Sequence, residues 1–159
     1  MNNTQEAGRR AFGAASAGLV AAAAAHLLAY GGGAGWMAWL GAPPSIVASR
    51  AAGSWPALAG TLAIMGVLLL LAGACRVPVR NLPHRALLTA TALLFVARGL
   101  LVLPYWAGVR EWRTPLGRFV VSGDSFAAGS LVVLVLGLLV AGGLLASPRP
   151  RITSSPASP

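Results

Sequence analysis

The chain has 159 residues, 57% of them hydrophobic and only 9% charged, where an ordinary soluble domain is roughly a quarter charged. That balance suits one compact domain and excludes an average soluble one; it reads as an integral membrane protein. The net charge of +9 comes from twelve arginines and three acidic residues, and those arginines sit in short blocks beside apolar runs, so anionic lipid headgroups are the expected counter-charge and nucleic acid is not.

The polar start, residues 1–10, carries Glu6, Arg9 and Arg10. The first apolar span is expected over about residues 11–31, a length that matches one bilayer crossing. Arg9-Arg10-Ala11-Phe12 resembles a twin-arginine export signal. That signal carries folded soluble cargo, whereas three more apolar spans follow here, so an uncleaved first helix is the simpler reading. Next, Gly31-Gly32-Gly33-Ala34-Gly35 has the composition of a phosphate loop, but it follows an apolar helix and not a strand, and is read as a helix exit. The stretch after it is rich in Gly, Pro and Trp and should lie along the membrane interface.

The second span is expected over about residues 56–74, with Pro56 in its first turn. A basic connector follows, holding Arg76, Arg80, His84 and Arg85, and its prolines Pro78 and Pro83 separate spans two and three. His84 is expected to face solvent or headgroups. Span three, about residues 85–103, should stop at Pro104-Tyr105-Trp106, because proline lacks the amide that a continuing helix needs. The polar loop after it holds Arg110, Glu111, Trp112 and Arg113; span four is expected over about residues 119–146, and a disordered Pro/Ser-rich tail over 147–159. The expected fold is therefore all-α and polytopic, with a four-helix transmembrane domain over residues 11–146.

Four spans put both termini on one side. That side collects seven arginines (Arg9, Arg10, Arg76, Arg80, Arg85, Arg149, Arg151), the other four (Arg50, Arg110, Arg113, Arg118), which predicts cytoplasmic termini. Trp36, Trp39, Trp55, Trp106 and Trp112, with Tyr30 and Tyr105, all fall near the opposite side and would form a one-sided belt of interfacial anchors.

Three ionisable residues lie inside the spans: His26, Arg98 and Asp124. Charged groups are costly there and mark functional sites by default. Each is expected roughly 7–10 Å below the interface on the tryptophan side. Tyr30 lies one turn above His26 and Tyr105 two turns above Arg98, so these five residues would form a polar pocket opening to that side. Ser122 and Ser125 would add hydroxyls, and Gly99 and Gly123 would let helices approach closely. The plainer readings are an Arg98–Asp124 pair that ties two helices together, Asp124 serving a helix N-terminus, and an interhelical hydrogen bond from His26.

Nucleotide, metalloprotease and serine-hydrolase motifs are absent from the sequence, as are paired carboxylates. A lone Cys75 allows no internal disulfide or multi-cysteine zinc site, and His26 and His84 fall on opposite sides, so no metal or other cofactor is expected.

The stretches His26-Leu27-Leu28-Ala29-Tyr30-Gly31-Gly32, Phe95-Val96-Ala97-Arg98-Gly99, and Thr114-Pro115 followed by Asp124-Ser125 resemble the bacterial membrane family catalogued as domain of unknown function 3995. The resemblance extends over about residues 15–143. After the aspartate that family tends to a Tyr-Ser-Pro-Leu-Cys-like stretch, where this chain has Ala128-Gly129-Ser130-Leu131-Val132. What the resemblance implies is a four-helix membrane fold, with no established activity, and it singles out the same three ionisable residues.

The expected function is thus non-enzymatic binding of a lipid-like or amphiphilic ligand in the outer leaflet of a bacterial inner membrane. Arg98 would attract an anionic group, Asp124 would orient Arg98, and His26 would hydrogen-bond the ligand or sense pH. The alternatives are a proton-coupled transporter acting as a homodimer, or an accessory subunit of a membrane complex with a structural polar cluster. An enzyme acting on a membrane lipid ranks last, for want of an activated nucleophile.

Overall fold

The computed structural model describes residues 3–79, 81–109, 111–114, 117–120 and 125–147. Its elements in chain order are α1 (Asn3–Gly32), α2 (Ala34–Trp39), α3 (Pro44–Ala51), α4 (Trp55–Arg76), α5 (Leu82–Leu100), α6 (Val102–Trp106), β1 (Glu111–Thr114), β2 (Gly117–Val120) and α7 (Ser125–Leu145). Among the described residues, four helical segments are long and apolar enough to cross a membrane: α1, α4, α5 continued by α6, and α7.

The boundaries depart from the sequence expectations where local chemistry intervenes. Asn3 to Arg10, expected as a polar lead-in, is the first part of α1. An Arg10–Glu6 pair one turn apart supports it, and Gly8 gives it a surface to lay against Ala146. α5 begins at Leu82 because the Asn81 side chain accepts the His84 amide at 2.9 Å and Pro83 occupies a first-turn position that needs no amide donor. Pro104 does not end the helical run. Its ring would clash with the carbonyl four residues back, at Leu100, so α5 stops there and the chain resumes as α6, with Pro104 in its first turns. Span four starts later than expected: Phe119 and Val120 belong to β2, whose backbone pairs antiparallel with β1, Trp112 in register with Phe119 and Glu111 with Val120. Aromatic and β-branched residues beside a glycine favour that extended pairing over a helix start.

α1 is the central helix, packing on α4 and on α7, while α7 makes the broadest contact in the molecule with α5; α4 and α5 touch little. Their joined ends are pinned by His84, whose Nε2–H donates to the Ala74 carbonyl at 2.9 Å. His84 is half-buried and caps the end of α4, so it does not simply face solvent as expected.

Small residues set the helix contacts. Gly8 lies against Ala146, Gly18 against Leu136 and Gly143 against the Phe12 ring, each so close that a Cβ on the glycine would stand 2.5 to 2.6 Å from its neighbour. Between α5 and α7, Gly99 receives Leu134 and Gly137 receives Val96. In a lipid-like medium, where apolar side chains gain nothing by leaving solvent, such close backbone approach is what holds helices together.

The main core joins all four long helices through Phe12, Ala15 and Leu19 of α1, Ala72 and Cys75 of α4, Leu88 and Ala92 of α5, and Leu136, Val140 and Leu144 of α7. These residues occupy the half of the bundle near the α4–α5 connection, the lower half. A second, smaller cluster of Ala29, Met37 and Ala57 lies at the upper end, beneath α2 and α3. The outer faces are apolar and uncovered, as at Leu28, Leu70, Leu93 and Leu94, each about two-thirds exposed or more. A water-facing surface would not carry so continuous an apolar cover.

Candidate polar site between the two cores

Arg98 sits in the upper half of α5, two positions before the Leu100 end. Its Nη1 donates to the Ser130 hydroxyl at 2.8 Å, and its guanidinium carbon stands 4.5 Å from the centre of the Phe126 ring. Ser130 passes the polarity on, donating in turn to the Phe126 carbonyl one turn earlier at 2.7 Å. The hydroxyl is fully buried, and Arg98 itself is half-buried. Tyr105, buried on α6, lays its ring at 51° to that of Phe126 with centroids 5.7 Å apart. The kink ahead of Pro104 thus carries Tyr105 over the same aromatic ring that supports the arginine.

This geometry fixes a cation at one position. A guanidinium has five N–H donors; among the described residues Arg98 uses one, on Ser130. The ring beneath it is attracted to the charge and forbids hydration on that face. What remains is a planar donor fork suited to an anionic oxygen group.

His26 lies in the upper part of α1, half-buried, with Nδ1 2.8 Å from the Ala22 carbonyl one turn earlier. A carbonyl only accepts, so Nδ1 carries the proton, and in the neutral imidazole Nε2 holds a lone pair. The partner is therefore on its own helix, where an interhelical one was the plain expectation. Tyr30, one turn above, belongs to a different contact: the Arg50 guanidinium lies 4.6 Å over its ring and Arg50 Nε donates to its backbone carbonyl at 3.1 Å. Arg50 in this way satisfies an end carbonyl of α1 and locks α3 across the helix exit.

The contacts of Arg98 come from α7, whose Phe126 also meets Tyr105, and those of Tyr30 come from α3, so the four described members of the expected pocket do not form one contact group: Arg98 and Tyr105 share Phe126, Tyr30 holds Arg50, and His26 bonds within α1. Asp124, Ser122 and Gly123 lie outside the described residues, and so does any pairing of Asp124 with Arg98. Three participants were missed by sequence reasoning. Ser130 and Phe126 were hidden within an apolar run, although a hydroxyl at the level of an arginine inside a neighbouring apolar span is a signal in itself; Arg50 looked like a loop cation, and its signal was the nearby Tyr30 at a helix exit. Trp36, Trp39, Trp55 and Trp106 are each more than half exposed at the upper end, around α2, α3 and α6; the Trp112 backbone lies in β1.

Among the described residues no group of three or more His, Cys, Asp or Glu side chains is placed to hold a metal ion. Comparison of the chain with family models, with curated proteins and with solved structures found no match.

Proposed function

We propose that the protein is a small multi-pass protein of the bacterial inner membrane that binds an anionic amphiphile, without catalysis, in the outer-leaflet half of its helix bundle. The observation that carries this reading is the Arg98 guanidinium, half-buried between two apolar helices, held by Ser130 Oγ at 2.8 Å and by the Phe126 ring, and using one of its donors among the described residues. Placing a charge there costs several kcal/mol in a bilayer, and an anionic ligand group would offset that cost.

The orientation rests on two asymmetries. Counted along the sequence, the side of the spans away from Arg98 has the larger number of arginines, which favours the cytoplasm, and the exposed tryptophans among the described residues cluster at the other end, as an outer interfacial belt would. Native mass spectrometry with lipid analysis on gently solubilised wild type and Arg98→Gln tests the reading. A defined anionic lipid retained by the wild type and lost from a folded Arg98→Gln supports it. Identical bulk lipid on both proteins overturns it and leaves the Arg98 cluster a structural tie of a complex subunit.

A further inference from the structure

α1 and α7 are packed through half their length and then part. On α1 the stripe Gly8, Phe12, Ala15, Leu19, Ala22, His26 follows the three-and-four spacing of one helix face; it is buried as far as Leu19 and only half-buried at Ala22 and His26. On α7 the face that meets α1 through Gly143 and Leu136 continues at the same spacing to Val132 and Gly129, and these are exposed, Val132 by 54%. Both helices thus lose cover at the same level, above the Gly18–Leu136 contact, and the small cluster beneath α2 centres on Ala29, Met37 and Ala57.

The antiparallel register places the polar groups relative to this opening. Gly8 meets Ala146, Phe12 meets Gly143 and Gly18 meets Leu136; carried on at the same step, His26 is level with Ala128. Arg98 holds Ser130, two residues from that point, so the two side chains differ in height by about 3 Å. Gly129 connects them. It stands one turn below Phe126, whose ring carries Arg98, and a Cβ built on it would meet nothing within 4 Å. The way from the opening to the guanidinium passes over a position with no side chain.

We infer that the α1–α7 opening is the lateral entrance by which an anionic lipid with a hydroxylated headgroup reaches Arg98, its hydroxyl donating to His26 Nε2. This rests on the reading of Arg98 as a ligand site. The occupant follows from the chemistry of the walls: Ala128, Gly129 and Val132 are apolar and exposed and Ala22 is apolar and half-buried, so an acyl chain suits them better than a water-soluble anion. The guanidinium selects negative charge. His26, its Nδ1–H already donated to Ala22, presents an acceptor and so selects a donor.

The full-length chain in detergent, titrated by native mass spectrometry with phosphatidylglycerol and with phosphatidylmethanol of matched acyl chains, separates these contributions. Both lipids are anionic; only the first carries headgroup hydroxyls. Wild type is expected to hold phosphatidylglycerol about tenfold more tightly, and His26→Leu to bring the two lipids level by weakening only that one. Gly129→Leu is expected to weaken both about tenfold at an unchanged thermal transition, because the added side chain fills the entrance without meeting the packed core. Val132→Trp, also on the exposed wall, serves the same purpose if Gly129→Leu does not fold. Equal wild-type binding of the two lipids, or wild-type affinity in both folded wall variants, overturns the inference. If Arg98→Gln then still loses both lipids, the ligand site stands and the entrance falls; if Arg98→Gln retains both, the site reading falls and takes the entrance with it.

Discussion

Arg98 and Ser130 are each the reason the other is tolerated. The hydroxyl is fully buried, and its acceptor lone pairs face a guanidinium that would otherwise have an apolar helix beside it. Ser130→Ala should therefore lower unfolding stability by about 1–3 kcal/mol, as expected when a buried donor loses its partner. Arg98→Leu/Ser130→Ala should recover most of that loss, since replacing both partners by apolar groups removes the unmet demand. Denaturant unfolding in micelles of the two single variants and the double one decides it: additive losses would mean that the hydrogen bond is not what binds these positions. At the upper end, Arg50→Lys keeps the charge of Arg50 but not its planar fork, which both donates to the Tyr30 carbonyl and lies over the Tyr30 ring. Its expected effect is a loss of about 1 kcal/mol with weakened protection of the α1 end amides in hydrogen exchange, and full protection would count against the capping role.

At the scale of elements, the helices carry glycines of two kinds, those at which a neighbouring helix closes in and those that meet nothing. A Cβ at Gly99 would stand 2.5 Å from Leu134 Cβ and 2.6 Å from Leu134 Cα, so α5 and α7 would have to separate. Gly99→Ala should destabilise by about 1–3 kcal/mol and, by moving α5 off α7, lengthen the Arg98–Ser130 contact. Gly66 and Gly142 meet nothing within 4 Å. Alanine there should be neutral or stabilising by up to about 1 kcal/mol, through helix propensity alone. Equal effects at the two kinds of site, measured by thermal melting in one detergent, would show that propensity and not approach governs these positions. The sequence made part of this legible. Long apolar runs announced four membrane-length helices, and Gly99 and Gly137 were visible as small positions. The helix ends were less so, for local reasons: Pro104 looked like a stop because its effect falls four residues earlier, at Leu100, and Phe119-Val120 looked like the start of a span because apolar content does not distinguish a strand from a helix over so few residues. The site was half legible. Depth counted along each span put His26 and Arg98 at one level, and the α1–α7 register agrees, but side-chain partners such as Phe126 depend on which faces of α5 and α7 meet, which a single sequence does not specify.

For the whole molecule, one arrangement of charge and aromatic residues decides what Arg98 is exposed to. If the termini are cytoplasmic, the upper half of the bundle is the outer leaflet and an amphiphile would come from there; if they are not, the same guanidinium reads the cytoplasmic leaflet, whose surface potential is negative. The arginine excess at the lower end is modest, and the tryptophan belt is what strengthens it. Cysteine accessibility resolves the orientation directly, because the native Cys75 is buried and a Cys75→Ala background leaves no competing thiol. In that background Ser54→Cys, on the exposed turn before α4, should react with a membrane-impermeant maleimide in intact spheroplasts, and Asn3→Cys only after permeabilisation. The two positions lie at opposite ends of the bundle, so each controls for leakage at the other. The reverse pattern would invert the protein in the membrane. Arg98, Phe126 and Ser130 would keep their geometry, but the lipid would have to be sought in the inner leaflet, and the tryptophans would mark the cytoplasmic interface.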